Sequence, residues 1–97
     1  MPLYVTLFKW TEQGVKDIKN VPARIEASIK AAEGLGGKML GVYLTMGEYD
    51  LVSIGEWPSD EAASTTALAI SSRGNVRTTS MRAFTPAEFA KIVKNLP

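Results

Sequence analysis

The stretch Met46-Gly47-Glu48-Tyr49-Asp50-Leu51-Val52 decides the fold, because it joins two apolar runs through a corner of a few residues. The runs predict one strand over Lys38–Met46 and another over Asp50–Trp57. A connection this short cannot make a crossover, so the two strands must form an antiparallel hairpin. Gly47 can adopt a positive φ at the end of a strand, and Asp50 can accept backbone N–H groups across the corner.

The segments on both sides of this hairpin alternate between strand and helix patterns. Strands are predicted over Leu3–Trp10 and Val76–Phe84, which are rich in β-branched and aromatic residues. A helical stretch with a break near Pro22 is predicted over Val15–Glu33, and a second helix runs from its Ser59 cap to Arg73. The capping box Thr85-Pro86-Ala87-Glu88 begins a short last helix.

This order, β-α-β-β-α-β with an extra C-terminal helix, is typical of the ferredoxin-like α+β fold. It predicts a four-stranded antiparallel sheet with the helices on one face. With 97 residues and no linker or repeat, residues 1–97 are expected to form a single domain.

The composition excludes several classes of chemistry. The chain has no cysteine and no histidine, so disulfides, zinc–thiolate sites and imidazole catalysis are absent, and neither a cofactor nor a metal is predicted. Its 11 basic and 10 acidic residues are interspersed, which argues against nucleic acid as a partner. No apolar run reaches the length of a membrane helix and no signal-peptide pattern is present, so a cytoplasmic protein is expected.

Alternation along the strands predicts a sheet that is apolar on both faces. We expect the aliphatic set, which includes Leu3, Val5, Leu7 and Leu40, to lie under the helices. The other set contains Tyr4, Phe8, Trp10 and Trp57, and we expect it to be the oligomer interface. A second copy of the same sheet is the simplest cover for such a face, so the chain is expected to form a homodimer or a higher oligomer. Whether the space between the two sheets is filled or is a cavity stays open.

Two interpretations of the hairpin corner also stay open. In the structural one, Gly47 to Asp50 is only a turn. In the functional one, Tyr49 and Asp50 offer a hydroxyl and a carboxylate to a ligand at the rim of the space between the sheets. Without histidine, a carboxylate such as Asp50 or Glu56 is the expected general base, and Tyr43 or Arg82 the expected electrostatic partner.

Several separated motifs resemble those of the GYD domain family, a group of small bacterial and archaeal proteins. These motifs are, in chain order, Trp10 to Gly14, Met46 to Val52, Glu56 to Pro58, Gly74 to Thr78 and Arg82 to Thr85. The resemblance covers nearly the whole chain and implies a ferredoxin-like fold of the dimeric α+β barrel type. It implies little about activity, and no catalytic residue is carried over from it.

Three functions are consistent with these observations. The first is a small-molecule-binding or sensing module at a subunit interface, since the hairpin and the Gly74 to Thr78 motif are similar to effector domains of feast/famine regulators. The second is a cofactor-independent enzyme of the dimeric α+β barrel type, such as a small monooxygenase or an isomerase. The third is a purely structural role. The candidate ligand-binding residues are Tyr49, Asp50, Tyr43, Arg82 and Glu56.

Overall fold

A computed structural model describes all 97 residues and has the predicted order of elements. The strands are β1 (Leu3–Trp10), β2 (Lys38–Leu44), β3 (Leu51–Glu56) and β4 (Val76–Ala83). The helices are α1 (Glu12–Lys16), α2 (Val21–Gly34), α3 (Asp60–Ser71) and α4 (Pro86–Lys94), with a short 3₁₀ turn over Ile18–Asn20. None of these helices is long and apolar enough to cross a membrane.

The sheet has the order β2-β3-β1-β4, and all three strand pairs are antiparallel. The predicted α+β fold is therefore confirmed. The long central strand β1 pairs with β3 from Leu3 opposite Glu56 to Phe8 opposite Leu51, and with β4 from Leu3 opposite Ala83 to Trp10 opposite Val76. Helices α2 and α3 pack on one face of this sheet, against β2 and β4 respectively.

The helices begin where capping chemistry predicts. Ser59 accepts a hydrogen bond from the Ala62 N–H at the start of α3, and Thr85 and Glu88 form a full capping box at the start of α4. The predicted break near Pro22 separates the 3₁₀ turn from α2. One helix was not predicted as such: Thr11 caps α1 through the Gly14 N–H, so the chain becomes helical directly after β1.

The two faces of the sheet are exchanged relative to the prediction. Tyr4 and Trp57 are only 6% and 5% exposed and form a core cluster with Ala32 of α2. Phe8 and Trp10 belong to the same face of β1. The prediction that these four aromatic residues form an oligomer interface is therefore wrong, because the helices of their own chain cover them.

Small helix residues explain this arrangement. Ala32, Ala62 and Ala63 let α2 and α3 approach the sheet closely, so large side chains from the sheet fill the remaining space. The Trp57 indole fits only because two neighbours lack a side chain: a Cβ at Gly37 would lie 2.5 Å from its Nε1, and one at Gly55 would lie 2.7 Å from its ring. Tyr4 packs edge-on against Trp57, with ring centroids 5.8 Å apart.

A β-bulge in β2 changes which of its residues face the helices. The pairing with β3 shifts between Met39, opposite Gly55, and Gly41, opposite Ile54. Beyond this shift Val42 lies on the helix-covered face, while Tyr43 lies on the other face and is 56% exposed. Leu40, expected under the helices, is 48% exposed at the bulge.

The second face of the sheet has no cover in the single chain, and we call it the open face. It consists of every second residue of β1, starting at Leu3, and of the residues on the neighbouring strands that lie on the same side. They are Leu3, Val5, Leu7, Lys9, Lys38, Gly41, Tyr43, Val52, Ile54, Glu56, Arg77, Thr79, Met81 and Ala83. The predicted apolar sheet face without a helix layer thus exists, but it consists of the aliphatic set.

Candidate ligand cavity and hairpin corner

A cavity of about 90 Å³ lies between the covered face of the sheet and helices α2 and α3. Its walls come mainly from apolar side chains of both layers, including Phe8, Leu51, Ile25 and Ile70. The hydroxyl residues Thr6, Ser28, Ser53, Thr66 and Ser80 add polar groups to this lining. Both tryptophans of the chain, Trp10 and Trp57, also line it.

The hydroxyl groups of the lining are only partly used within the chain. Thr6 Oγ1 and Ser80 Oγ lie 3.1 Å apart and share a hydrogen bond, and Thr66 Oγ1 donates to the Ala62 carbonyl of its own helix at 3.0 Å. The Trp57 Nε1–H is buried and has no acceptor. An unpaired buried donor costs about 1–3 kcal/mol, and this one lies beside Gly37, which does not line the cavity.

Two arginines and no carboxylate are among the lining residues. Arg24 is engaged, since its Nη1 lies 2.7 Å from Asp17 Oδ2 and also donates to the Asp17 carbonyl at 2.8 Å. Arg73 follows α3 and is exposed, and no acidic group lies within ion-pair distance of it. The cavity therefore combines an apolar interior with one free positive charge.

The hairpin corner is tied together by backbone interactions. Asp50 Oδ2 accepts the Trp10 backbone N–H at 2.9 Å, while the Asp50 backbone N–H donates to the Phe8 carbonyl at 2.9 Å. Thr45 closes the turn, with its N–H donating to the Asp50 carbonyl and its hydroxyl donating to the Tyr49 carbonyl at 2.6 Å. Gly47 has φ of +130°, as the sequence suggested. All of these contacts are those of a turn.

The predicted ligand-binding residues are not brought together. Tyr49, whose ring lies 5.6 Å from Lys9 Nζ, and Asp50 lie at one end of the sheet. Glu56 lies at the other end of β3, opposite Leu3, and Tyr43 is on the open face of β2. None of the five candidates, Tyr49, Asp50, Tyr43, Arg82 and Glu56, lines the cavity.

Arg82 belongs to a separate polar cluster beside a wide depression of about 580 Å³ between α3 and β4. Its guanidinium stacks over the Phe84 ring at 4.6 Å and lies 5.8 Å from the Tyr4 ring centroid. The Tyr4 hydroxyl donates a hydrogen bond to Asp60 Oδ1, and this bond raises the pKa of Tyr4 above its ordinary value, with burial as the second cause. The neutral Tyr4 hydroxyl is the donor in this bond.

Arg73 lines the cavity and is not among the predicted ligand-binding residues. A basic residue near the end of a helix is expected from the helix dipole alone, so its position in the sequence does not single it out. The signal that identifies it is tertiary: the Gln13 side chain donates to the Arg73 carbonyl at 3.0 Å and to Asn75 Oδ1, which fixes this turn against α1 at the end of the cavity. No pattern within α3 itself contains that information.

Comparison with known proteins identifies relatives of the whole chain. The family model of the GYD domain matches residues 4–93. A protein of Thermus thermophilus, named glutamine synthetase and cystathionine beta-lyase binding protein, is 26% identical over 95 residues, which is 97% of this chain and 100% of that protein.

Two solved structures share the fold. The leucine response regulatory protein LrpA of Mycobacterium tuberculosis superposes with a TM-score of 0.65 at 21% identity over 87% of this chain. The match spans 51% of that regulator, so this chain corresponds to about half of it. TTHA0845 from Thermus thermophilus superposes with a TM-score of 0.57 at 24% identity, over 88% of this chain and 95% of that one.

Proposed function

The chain belongs to the GYD domain family, and we propose that it is a small-molecule-binding or sensing module whose ligand lies inside each subunit. The observation that carries this proposal is the cavity of about 90 Å³ between helices and sheet. An apolar cavity with a few polar groups is the usual form of a ligand site. This location differs from the subunit interface expected from the sequence, because the aromatic face is the covered one.

The lining favours a ligand with a short apolar part and one carboxylate. A cavity of about 150 Å³ in an engineered protein holds benzene, so a smaller cavity suits a chain of about four carbon atoms. The free guanidinium of Arg73 is the natural partner for a carboxylate. Burial of roughly 0.8 kcal/mol for each CH₂ group, together with one charge-assisted hydrogen bond, predicts a dissociation constant on the order of 1 mM.

Tryptophan fluorescence provides the test, because both tryptophans of the chain line the cavity. We would titrate the protein with valerate and, in parallel, with valeramide, which has the same shape and no charge. Saturable changes with both probes, tighter for valerate, are expected. No saturable change with either probe would reject the proposed function, whereas equal binding of both would reject only the carboxylate.

A matched pair of variants isolates the role of Arg73. In Arg73→Gln, valerate binding is expected to weaken about tenfold while valeramide binding is unchanged, since one charge-assisted contact is lost. Arg77→Gln is the control: it removes the same charge from β4, but Arg77 is paired with Lys9 on the open face and does not line the cavity. Equal weakening in both variants would mean that only the overall charge of the protein matters.

A second candidate function is the binding of a partner protein, which the name of the Thermus thermophilus relative favours. The open face offers the apolar surface that such a contact needs. Calorimetric titration with purified glutamine synthetase, and separately with cystathionine beta-lyase, tests this candidate. Binding that is lost on substituting Tyr43→Glu on the open face would support it, and the absence of heat with both enzymes would oppose it.

A further inference from the structure

A row of three hydroxyl side chains crosses the middle of the covered face of the sheet. Thr6 of β1 lies opposite Ser53 of β3 on one side and opposite Ser80 of β4 on the other. All three line the cavity, and Ser28 of α2 and Thr66 of α3 line it from the helix layer. We call these five residues the hydroxyl belt. It is a polar zone within a lining that is otherwise mainly apolar.

Ser53 is the member of the belt that combines burial with an unused hydroxyl group. It is only 3% exposed, and its Oγ makes no hydrogen bond within the chain. Burial of a hydroxyl group without a partner costs free energy, and a valine or alanine at this strand position would avoid that cost. A partner for Ser53 Oγ must therefore come from the contents of the cavity.

Other members of the belt also keep part of their hydrogen-bonding capacity. Thr6 and Ser80 share one hydrogen bond at 3.1 Å, so one of their two hydroxyl protons is not used between them. Thr66 donates to the Ala62 carbonyl at 3.0 Å, and its oxygen can still accept. The belt therefore offers both donors and acceptors to a single group, and a hydroxyl group is the simplest one that uses both.

The charges of the lining exclude an ammonium group of the ligand at the belt. Two arginines and no acidic residue line the cavity. A buried ammonium group would have no opposite charge beside it and would be repelled by the guanidinium groups. A neutral hydroxyl group does not have this cost.

We propose that the ligand of the cavity carries, besides its carboxylate, a hydroxyl group that is bound by Ser53. The ligand class is then a short hydroxy acid and not an amino acid. This inference rests on the proposed function, because the second polar group lies in the same cavity as the first. Thr6 and Ser53 are four residues of β1 away from the Trp10 end, where Arg73 lies, so carbon atoms of the ligand separate its two polar groups.

Tryptophan fluorescence titration with valerate and with its derivatives hydroxylated at carbon 3, 4 or 5 tests this inference. At least one hydroxyvalerate is expected to bind about three- to tenfold more tightly than valerate, which is the effect of one added hydrogen bond. 5-Aminovalerate, with an ammonium group in place of the hydroxyl group of 5-hydroxyvalerate, should bind more weakly than valerate. Saturable binding of valerate without tighter binding of any hydroxyvalerate would overturn this inference and leave the proposed function standing. No binding of any probe would reject both.

A matched pair of variants assigns the effect to Ser53. Ser53→Ala removes the hydroxyl group with little change in shape, so the preferred hydroxyvalerate should bind no more tightly than valerate. Valerate itself should bind as it does to the wild-type protein, which also shows that the variant is folded. Ser64→Ala is the control, because Ser64 lies on α3, is exposed and does not line the cavity, and it should keep the full preference. An unchanged preference in Ser53→Ala would overturn the role of Ser53.

Discussion

At the scale of single residues, Gly14 shows how one missing side chain fixes the position of an element. A Cβ at Gly14 would lie 2.0 Å from the Asn75 carbonyl oxygen, which is far too close. The same carbonyl accepts the Thr11 N–H at 3.0 Å, so the start of α1 is held against the entry to β4. The contact joins two parts of the chain that are distant in sequence.

Gly14→Ala is therefore expected to lower the free energy of unfolding by about 1–3 kcal/mol, since backbone on both sides must move. Gly34→Ala is the matched control, because no atom lies within 4 Å of the Cβ it would add in the last turn of α2. That substitution should be neutral or stabilise by about 0.5–1 kcal/mol. Urea denaturation measures both, and equal stability of the two variants would contradict the close contact.

Asp50 separates the two interpretations of the hairpin corner. As a turn residue it needs only an oxygen that accepts the Trp10 N–H. Asp50→Ala should then cost about 1–3 kcal/mol, while Asp50→Asn, which keeps a carbonyl oxygen, should cost much less. Thermal denaturation measures stability, and the valerate titration measures binding. If Asp50→Asn folds normally and abolishes binding, the corner is a site after all.

Individual residues predict the local structure of turns and caps well, but they do not predict which side chains meet in one site. The positive φ of Gly47 and the accepting role of Asp50 follow from turn chemistry and are found in the structure. Which face of the sheet is covered does not follow, because both faces are apolar. The informative signal lies in other elements: alanines in α2 and α3 and the glycines beside Trp57 leave room for large residues on one face only.

At the scale of elements, the start of α4 is expected to depend on pH. The Thr85 backbone N–H donates to the Glu88 carboxylate at 2.9 Å, and this bond holds the pKa of Glu88 below its ordinary value. A carboxyl group whose pKa is lower in the folded state stabilises that state above its unfolded pKa. The stabilisation is lost as the pH falls through the folded pKa.

The first turn of α4 should therefore loosen as the pH falls below about 4.5, the ordinary value for this carboxyl group. The chemical shift and the hydrogen exchange of the Thr85 amide report the change. In Glu88→Gln the amide oxygen can still accept, but it does not titrate, so the same signals should stay constant as the pH falls through this range. A pH dependence of equal size in the variant would assign the effect to another group.

The order of elements follows from turn and cap chemistry, and the ends of strands follow less closely. The predicted strand Lys38–Met46 ends at Leu44, because Thr45 turns its N–H and hydroxyl toward the corner. The bulge after Met39 is not predicted from the sequence, because the alternation of apolar and polar residues does not show where a strand gains an extra residue. It places Val42 and Tyr43 on the sides opposite to those that strict alternation from Met39 would give.

At the scale of the whole molecule, stability is expected to depend on protein concentration. Only 10 of the 97 residues are buried in the single chain, so much of its apolar surface needs a partner. If two copies associate through the open face, a tenfold higher concentration should stabilise the dimer by about 1.4 kcal/mol. Urea denaturation at several concentrations measures this shift, and Tyr43→Glu on the open face should abolish it. A wild-type midpoint independent of concentration would indicate that unfolding is not coupled to dissociation.

The pairing of β1 with β4 also determines how the domain responds to a pulling force. Leu3 lies opposite Ala83, so the first residue of one strand and the last residue of the other are neighbours at the same end of the sheet. A force that separates these two residues loads the hydrogen bonds between the strands one pair after another, as in opening a zipper. Such a domain should yield at low force, and a translocating unfoldase that grips the segment after Ala83 would strip β4 from the sheet before it meets the rest of the core.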